Sequence, residues 1–167
     1  KTYTVLEDSI ADSLEEFERD PEFIFPTQIR DHVPGIDRQN LGVIFARPEI
    51  GKTSFSAWLS GWYVRNKFHV AYWGNEEPVK KTRMRVAKSI TERSRLEVLQ
   101  DKDGFIQDYQ DNILPYISFM DCVGTSIQEI DDYCSRNEVV VIFIDQLVKI
   151  RIDGEFSRGD ERLKELY

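Results

Sequence analysis

The chain holds 167 residues, with 22 Lys plus Arg against 30 Asp plus Glu, a formal net charge of −8. A single domain of that length can close a hydrophobic core, and 41% hydrophobic with 31% charged residues is a globular composition rather than a disordered one. No apolar run nears the roughly 20 residues of a membrane helix, and the acidic balance argues against a free-standing DNA-coating protein, whose phosphate contacts need clustered cations, though not against one that meets nucleic acid through a few local loops inside an assembly.

In chain order, Leu6, Ile10, Leu14 and Phe17 recur at helical spacing with acids between them, which predicts an N-terminal amphipathic helix. Pro21 and Pro26 interrupt it, and residues 20–40 read as an extended connector with a turn at Pro34 and Gly35. Residues 41–46 form a short, wholly apolar run suited to a strand covered on both faces. After Lys52, the residues Phe55, Trp58, Leu59 and Trp62 fall at i, i+3, i+4 and i+7, a helix packing on a sheet. Residues 70–73 are a second buried strand. Residues 79–100, rich in Lys, Arg and Glu with Met84, Val86, Ile90 and Leu99, predict one or two helices, and residues 103–113 another short one. Residues 116–120 read as a strand, Ile127, Ile130 and Cys134 mark a helix, and residues 139–144 (VVVIFI) are the strongest strand of the chain. From Arg158 the composition is helical again. After the first helix the order is β-α-β-α-β-α-β-α, which implies an α/β fold with a parallel sheet and helices on both faces.

Cys122 and Cys134 lack the spacing of a disulfide scaffold and read as reduced core thiols of a cytosolic protein. With His32 and His69 the only histidines, and no Cys-x-x-Cys, the sequence argues against structural zinc. Nothing resembles a secretory signal, and Lys1 opens the sequence as in a processed chain or a fragment.

The sharpest local signal is Ala46-Arg47-Pro48-Glu49-Ile50-Gly51-Lys52-Thr53, followed by Ser54. It departs from the phosphate-loop string G-x-x-x-x-G-K-[ST] only by Ala46 at the first glycine. Backbone N–H groups at a helix start favour an anion. Gly51 lets backbone approach phosphates without a Cβ in the way, Lys52 supplies a positive charge for the β- and γ-phosphates, and the Thr53 hydroxyl suits magnesium. The alternative is a chance Gly-Lys-Thr at a helix start. Asp145, at the carboxyl end of the 139–144 strand, is a second expected holder of magnesium, or else a plain strand-end turn. Glu76 and Glu77 follow the 70–73 strand, where a carboxylate can orient and deprotonate an attacking water or merely supply negative charge to the next helix start.

At these residues the chain resembles the hexameric replicative helicases of the DnaB type and their phage primase-helicase relatives. The family's phosphate loop often reads Ala-Arg-Pro-Ser-Met-Gly-Lys-Thr, so Ala46 matches a family trait. Its next motif, an apolar strand then Ser-Leu-Glu-Met and a helix containing Arg, is similar to residues 70–73, Gly74-Asn75-Glu76-Glu77 and Arg85. Its magnesium-site strand matches Ile144-Asp145, and Gly159-Asp160-Glu161-Arg162 is similar to a short segment of the phage relatives. The resemblance covers residues 33–167. It implies a three-layer RecA-like P-loop NTPase core over residues 41–167, preceded by an N-terminal helix or linker (1–20) and a connector (21–40).

What the resemblance implies for chemistry is as follows. Glu76 and Lys52 are catalytic, residues Ala46, Arg47, Pro48, Glu49, Ile50, Gly51, Lys52, Thr53 and Ser54 bind ATP or another nucleoside triphosphate, and Thr53 with Asp145 holds Mg2+. The partners are further copies of the chain in a ring, a hexamer in this family, together with single-stranded DNA and other replication proteins. The compartment is the cytoplasm of a bacterium or a phage-infected cell, with no membrane involved. The family's sensor glutamine, DNA-contacting loops and arginine finger match segments beyond Tyr167, and its sensor strand lies between the phosphate-loop strand and the 139–144 strand. Without that strand the sheet is expected to be interrupted and the core C-terminally incomplete. The N-terminal helix serves either as a linker that clasps a neighbouring subunit or as a plain helix on its own core. Lys80, Lys81, Arg83, Arg85, Lys88, Arg93 and Arg95 form either a contact to nucleic acid or a neighbour, or a solvated face balanced by Glu92 and Glu97. The aromatics Trp58, Trp62, Tyr63, Tyr72 and Trp73 are expected in the core. Two other functions fit the same loop: a non-translocating RecA-like ATPase acting as mediator, loader or switch, and a P-loop kinase of a small molecule.

Overall fold

The computed structural model describes residues 18–38, 40–45, 47, 49–74 and 78–151. The N-terminal helix, Ala46, Pro48, Asn75, Glu76, Glu77, the segment from Gly159 to Arg162 and the helical tail lie outside the described residues. The chain divides into two compact units, Lys1–Ile44 and Phe45–Tyr167.

In the first unit the expected connector carries structure of its own. Strands β1 (Phe23–Ile24) and β2 (Gly35–Ile36) pair antiparallel, with the short helix α1 (Thr27–Arg30) between them. Phe23 and Pro26 are buried. Gly35 is required by close approach, since a Cβ there would run into the Phe23 carbonyl and lie 2.8 Å from Pro21 Cγ. Arg38 ties the pair by bonding Glu22 and lying over the Phe23 ring. A two-residue strand leaves no alternation to read, which is why an extended connector was the natural expectation.

The second unit is an α/β layer built on three parallel strands. They are β3 (Val70–Trp73), β4 (Ile117–Met120) and β5 (Val141–Ile144), in the order β4-β3-β5. Helix α2 (Lys52–Arg65) precedes β3; α3 (Val79–Thr91), α4 (Arg95–Gln100) and α5 (Lys102–Asp108) run between β3 and β4, and α6 (Ile127–Arg136) between β4 and β5. A π-helical turn (Tyr109–Ile113) and a 3-10 turn (Leu114–Tyr116) lead from α5 into β4. The central strand is buried along its whole length, as a parallel strand covered on both faces should be.

One face of the sheet is aromatic. Tyr72 stands opposite Phe119 of β4 and Phe143 of β5, with ring centroids 6.1 and 5.9 Å away, and Tyr63 of α2 closes the group 6.5 Å from Phe143. The other face packs Ala71 and Trp73 with Cys122, Ile130 and Ile150, and Tyr133 of α6 meets the Trp73 ring edge-on. Ser126 starts α6 with a reciprocal capping box to Glu129, and Ser94 does the same for α4 with Glu97.

Two expectations need correction. Residues 41–45 are not a strand: Leu41, Val43, Ile44 and Phe45 are exposed, Phe45 to 88%. An apolar run becomes a strand only where a neighbouring ladder accepts its N–H and C=O groups. Among the described residues β5 has one strand neighbour, β3, and no strand pairs with this run. In α2 the buried residues are Ser56, Ala57, Leu59, Ser60, Gly61, Tyr63 and Val64, so of the expected stripe Leu59 is buried while Phe55, Trp58 and Trp62 are half-buried. Small residues win the buried face because α3 comes close: a Cβ on Gly61 would lie 3.1 Å from Ile90 Cγ1. The Ser56 and Ser60 hydroxyls stay satisfied by donating to the Lys52 and Ala57 carbonyls. Met84 and Leu99 are exposed. No helix among the described residues is long and apolar enough to cross a membrane.

Candidate functional site

Helix α2 begins at a glycine in a left-handed conformation. Gly51 has φ 101°, and its nearest neighbour for an added Cβ is Ser54 Cβ at 4.0 Å, so conformation rather than crowding calls for glycine. The bend before it is also unusual, because Glu49 has φ 65°. Arg47, Glu49, Ile50, Gly51 and Ser54 are all exposed. From this start, Lys52 and Thr53 point toward the carboxyl end of the sheet. Lys52 Nζ lies 3.1 Å from Asp145 Oδ1, and Thr53 Oγ1 donates to Asp145 Oδ2 at 3.3 Å.

Asp145 is held in place from several sides. Its N–H donates to the Trp73 carbonyl at 2.7 Å, which continues the β3–β5 ladder one residue past the strand. The Cys122 thiol donates to its carbonyl at 3.5 Å. Gly74 N–H reaches the Met120 carbonyl at 3.1 Å, so the ends of all three strands are tied together where the acid sits. The Asp145 side chain is 6% exposed and that of Lys52 is 34% exposed. The next residue, Gln146, is left-handed at φ 69°, and its buried Oε1 has no hydrogen-bond partner among the described residues. Strain of this kind clusters at functional positions.

The donor set suits a hard cation held jointly with a ligand. One buried carboxylate and one hydroxyl supply oxygen alone, which fits magnesium bound by one or two protein groups plus phosphate. Among the described residues no group of three His, Cys, Asp or Glu side chains is placed to hold a metal by itself.

A second feature had no sequence signal. A cleft of about 470 Å³ lies at the carboxyl ends of β3 and β4, lined by Trp73, Met120, Asp121, Val123, Thr125 and Glu129 among others. The Ser126 backbone N–H, then its hydroxyl, hold the Glu129 carboxyl below its ordinary range. Burial raises the Cys122 thiol, and it pushes Cys134 up to about 11, which disfavours the nucleophilic thiolate of both.

The basic stretch is largely exposed, as a solvated face would be, with its acids also engaged elsewhere. Lys80, Lys81, Arg83 and Arg85 are exposed on α3, but Glu92 pairs with Arg65 of α2, and Glu97 is committed to its capping box. Arg93 pairs with Asp101, and Arg83 lies over the Phe119 ring.

The sequence matches no model of a known protein family, and a search of curated proteins returns no significant match. The resemblance to DnaB-type helicases therefore stands on the motif residues themselves. Of those, the structure brings together Lys52, Thr53 and Asp145, which lie 92 residues apart in sequence for the last two.

Proposed function

We propose that the chain is an ATP-hydrolysing motor domain of the DnaB-like replicative helicase type, a RecA-like P-loop NTPase that couples hydrolysis to movement along single-stranded DNA. The observation that supports this most is the convergence of Lys52 and Thr53, from a glycine-started helix, on one buried aspartate at the carboxyl end of a parallel strand. Ligands of parallel α/β sheets sit at that end.

In this reading the triphosphate lies along residues 46–54, and Lys52 turns from Asp145 to the phosphate oxygens. Thr53 and Asp145 hold the magnesium ion, which when bound neutralises charge on the β- and γ-phosphates. Glu76, assigned by resemblance, orients the attacking water and takes its proton. A neighbouring copy completes the site across a ring interface, so the isolated chain turns over slowly. A finger supplied in trans is commonly worth about 10³–10⁵ in rate.

Calorimetry with a nonhydrolysable ATP analogue and magnesium tests the reading. The parent chain should bind and Lys52→Ala should not, with its fold checked by circular dichroism. A parent that gives no heat ends the proposal. Strand displacement on a forked DNA then separates the helicase from a non-translocating ATPase, which binds and hydrolyses without unwinding.

A further inference from the structure

Helix α3 carries one sign of charge. Residues 79–91 hold Lys80, Lys81, Arg83, Arg85 and Lys88 and no acid, in a chain of net charge −8. The helix turns Thr82, Val86 and Ala87 inward, and Arg83 leans over the Phe119 ring. On the outer side Lys80, Lys81 and Arg85 are exposed and Lys88 is half-buried. Among the described residues no ion pair involves Lys80, Lys81 or Lys88, and the acids that follow in sequence are engaged elsewhere, Glu92 by Arg65, Glu97 by its capping box and Asp101 by Arg93.

An apolar side chain stands at the centre of this face. Met84 is 45% exposed. Its neighbours on the helix surface are the residues three and four positions away, namely Lys80, Lys81, Ala87 and Lys88, so three lysines ring it. Each lies roughly 5–6 Å from it along the helix axis. A thioether adapts to irregular apolar partners, and the lysine stems widen the apolar surface while their ammoniums stay in water. A merely solvated face mixes both signs of charge. An apolar centre inside a cationic rim has instead the anatomy of a small interface. Its complement is a chain that carries carboxylates around an apolar side chain. Nucleic acid matches it less well: α3 has no aromatic side chain on which a base could stack, and a phosphate backbone puts nothing apolar against Met84.

We propose that the face of α3 formed by Lys80, Lys81, Met84 and Lys88 docks a short acidic peptide segment of a partner protein, whose apolar side chain lies on Met84 and whose carboxylates meet the three ammoniums. The inference holds whether or not residues 46–54 bind a nucleotide.

Fluorescence anisotropy on the full chain tests it. The probe is a fluorescein-labelled peptide of Asp and Glu around one central Leu. The parent should bind it in low salt and release it in about 0.5 M salt. Lys80→Glu combined with Lys81→Glu should weaken binding about tenfold or more, since attraction is lost and repulsion added at two positions. Acids suit the first helical turn, so this variant should keep its fold, which circular dichroism checks; should it unfold, Lys88→Glu carries the same test. Met84→Gln, of similar length and helix propensity, should weaken binding about fivefold through lost apolar contact. A probe with Ser in place of its Leu should bind the parent equally weakly and be indifferent to Met84→Gln. Parent binding weaker than about 1 mM in low salt overturns the proposal, as does parent-like binding by the charge-reversed variant. Parent-like binding by Met84→Gln overturns the apolar anchor and leaves a plain patch of charge. A labelled single-stranded oligonucleotide of equal formal charge that binds tighter than the peptide, whatever stands at position 84, makes the face a nucleic-acid surface and overturns the peptide assignment.

Discussion

Replacing Tyr72 probes how the candidate site is held. Its ring is 2% exposed at the centre of the sheet, stacked at 12° on Phe143 and tilted 37° to Phe119. Deleting a buried aromatic side chain costs about 3–5 kcal/mol, the sum of lost transfer and the cavity left behind. Two aromatic pairs contribute about 0.5–1.5 kcal/mol each beyond their area, so Tyr72→Leu, which keeps most of the apolar volume, should lose about 1–3 kcal/mol. At about 2–4 °C per kcal/mol for a chain of this size, Tm falls by about 6–20 °C for Tyr72→Ala and about 2–12 °C for Tyr72→Leu. Urea unfolding followed by tryptophan fluorescence and circular dichroism measures both, with an unchanged slope against denaturant. A Tyr72→Ala loss below about 1 kcal/mol would refute the claim that the cross-strand stack orders β3 against β5.

Three further outcomes follow from the site and its supports. Glu76→Gln should bind nucleotide with about parent affinity and lose hydrolysis; turnover at the parent rate in a phosphate-release assay would remove Glu76 from its role. Ser126→Ala should cost about 1 kcal/mol near neutral pH through loss of the α6 cap. Because Ser126 lowers the Glu129 pKa, the stability linked to that carboxylate is fully present above its unfolded value near 4.5 and is lost as pH falls through the folded value. The difference in urea midpoint between parent and Ser126→Ala should therefore narrow below pH 4.5, and a gap that widens would contradict the sign. Cys122 and Cys134 should resist a disulfide reagent at pH 8 in the native state and both react in denaturant; rapid native labelling would mean that burial does not set their chemistry.

The parallel sheet was legible because its three strands are short apolar blocks between helical patterns. Lys52, Thr53 and Asp145 were legible for a different reason: their chemistry is tied to a helix start and a strand end, places that local pattern locates well. Where the reading failed, tertiary partners decided. Residues 41–45 have strand composition, but no ladder among the described residues receives them. The aromatic stripe of α2 lost its face to Ser56, Ala57 and Ser60 because Gly61 sets a close helix approach that periodicity does not reveal. The 470 Å³ cleft arises from the loop after β4 folding back beside α6, with Arg151 N–H bonded to the Thr125 carbonyl, a long-range contact without a local signature.

The β5 edge has a practical consequence. Among the described residues this strand shows a neighbour on one side alone, and Ile142 on it is 43% exposed. An edge paired on one side alone can template an extended chain, including another molecule of the same protein. At a net charge of −8, mutual repulsion keeps molecules apart in dilute buffer. Concentrated salt weakens that repulsion, so purification at low ionic strength should favour dispersed material, and light scattering should grow as salt is added.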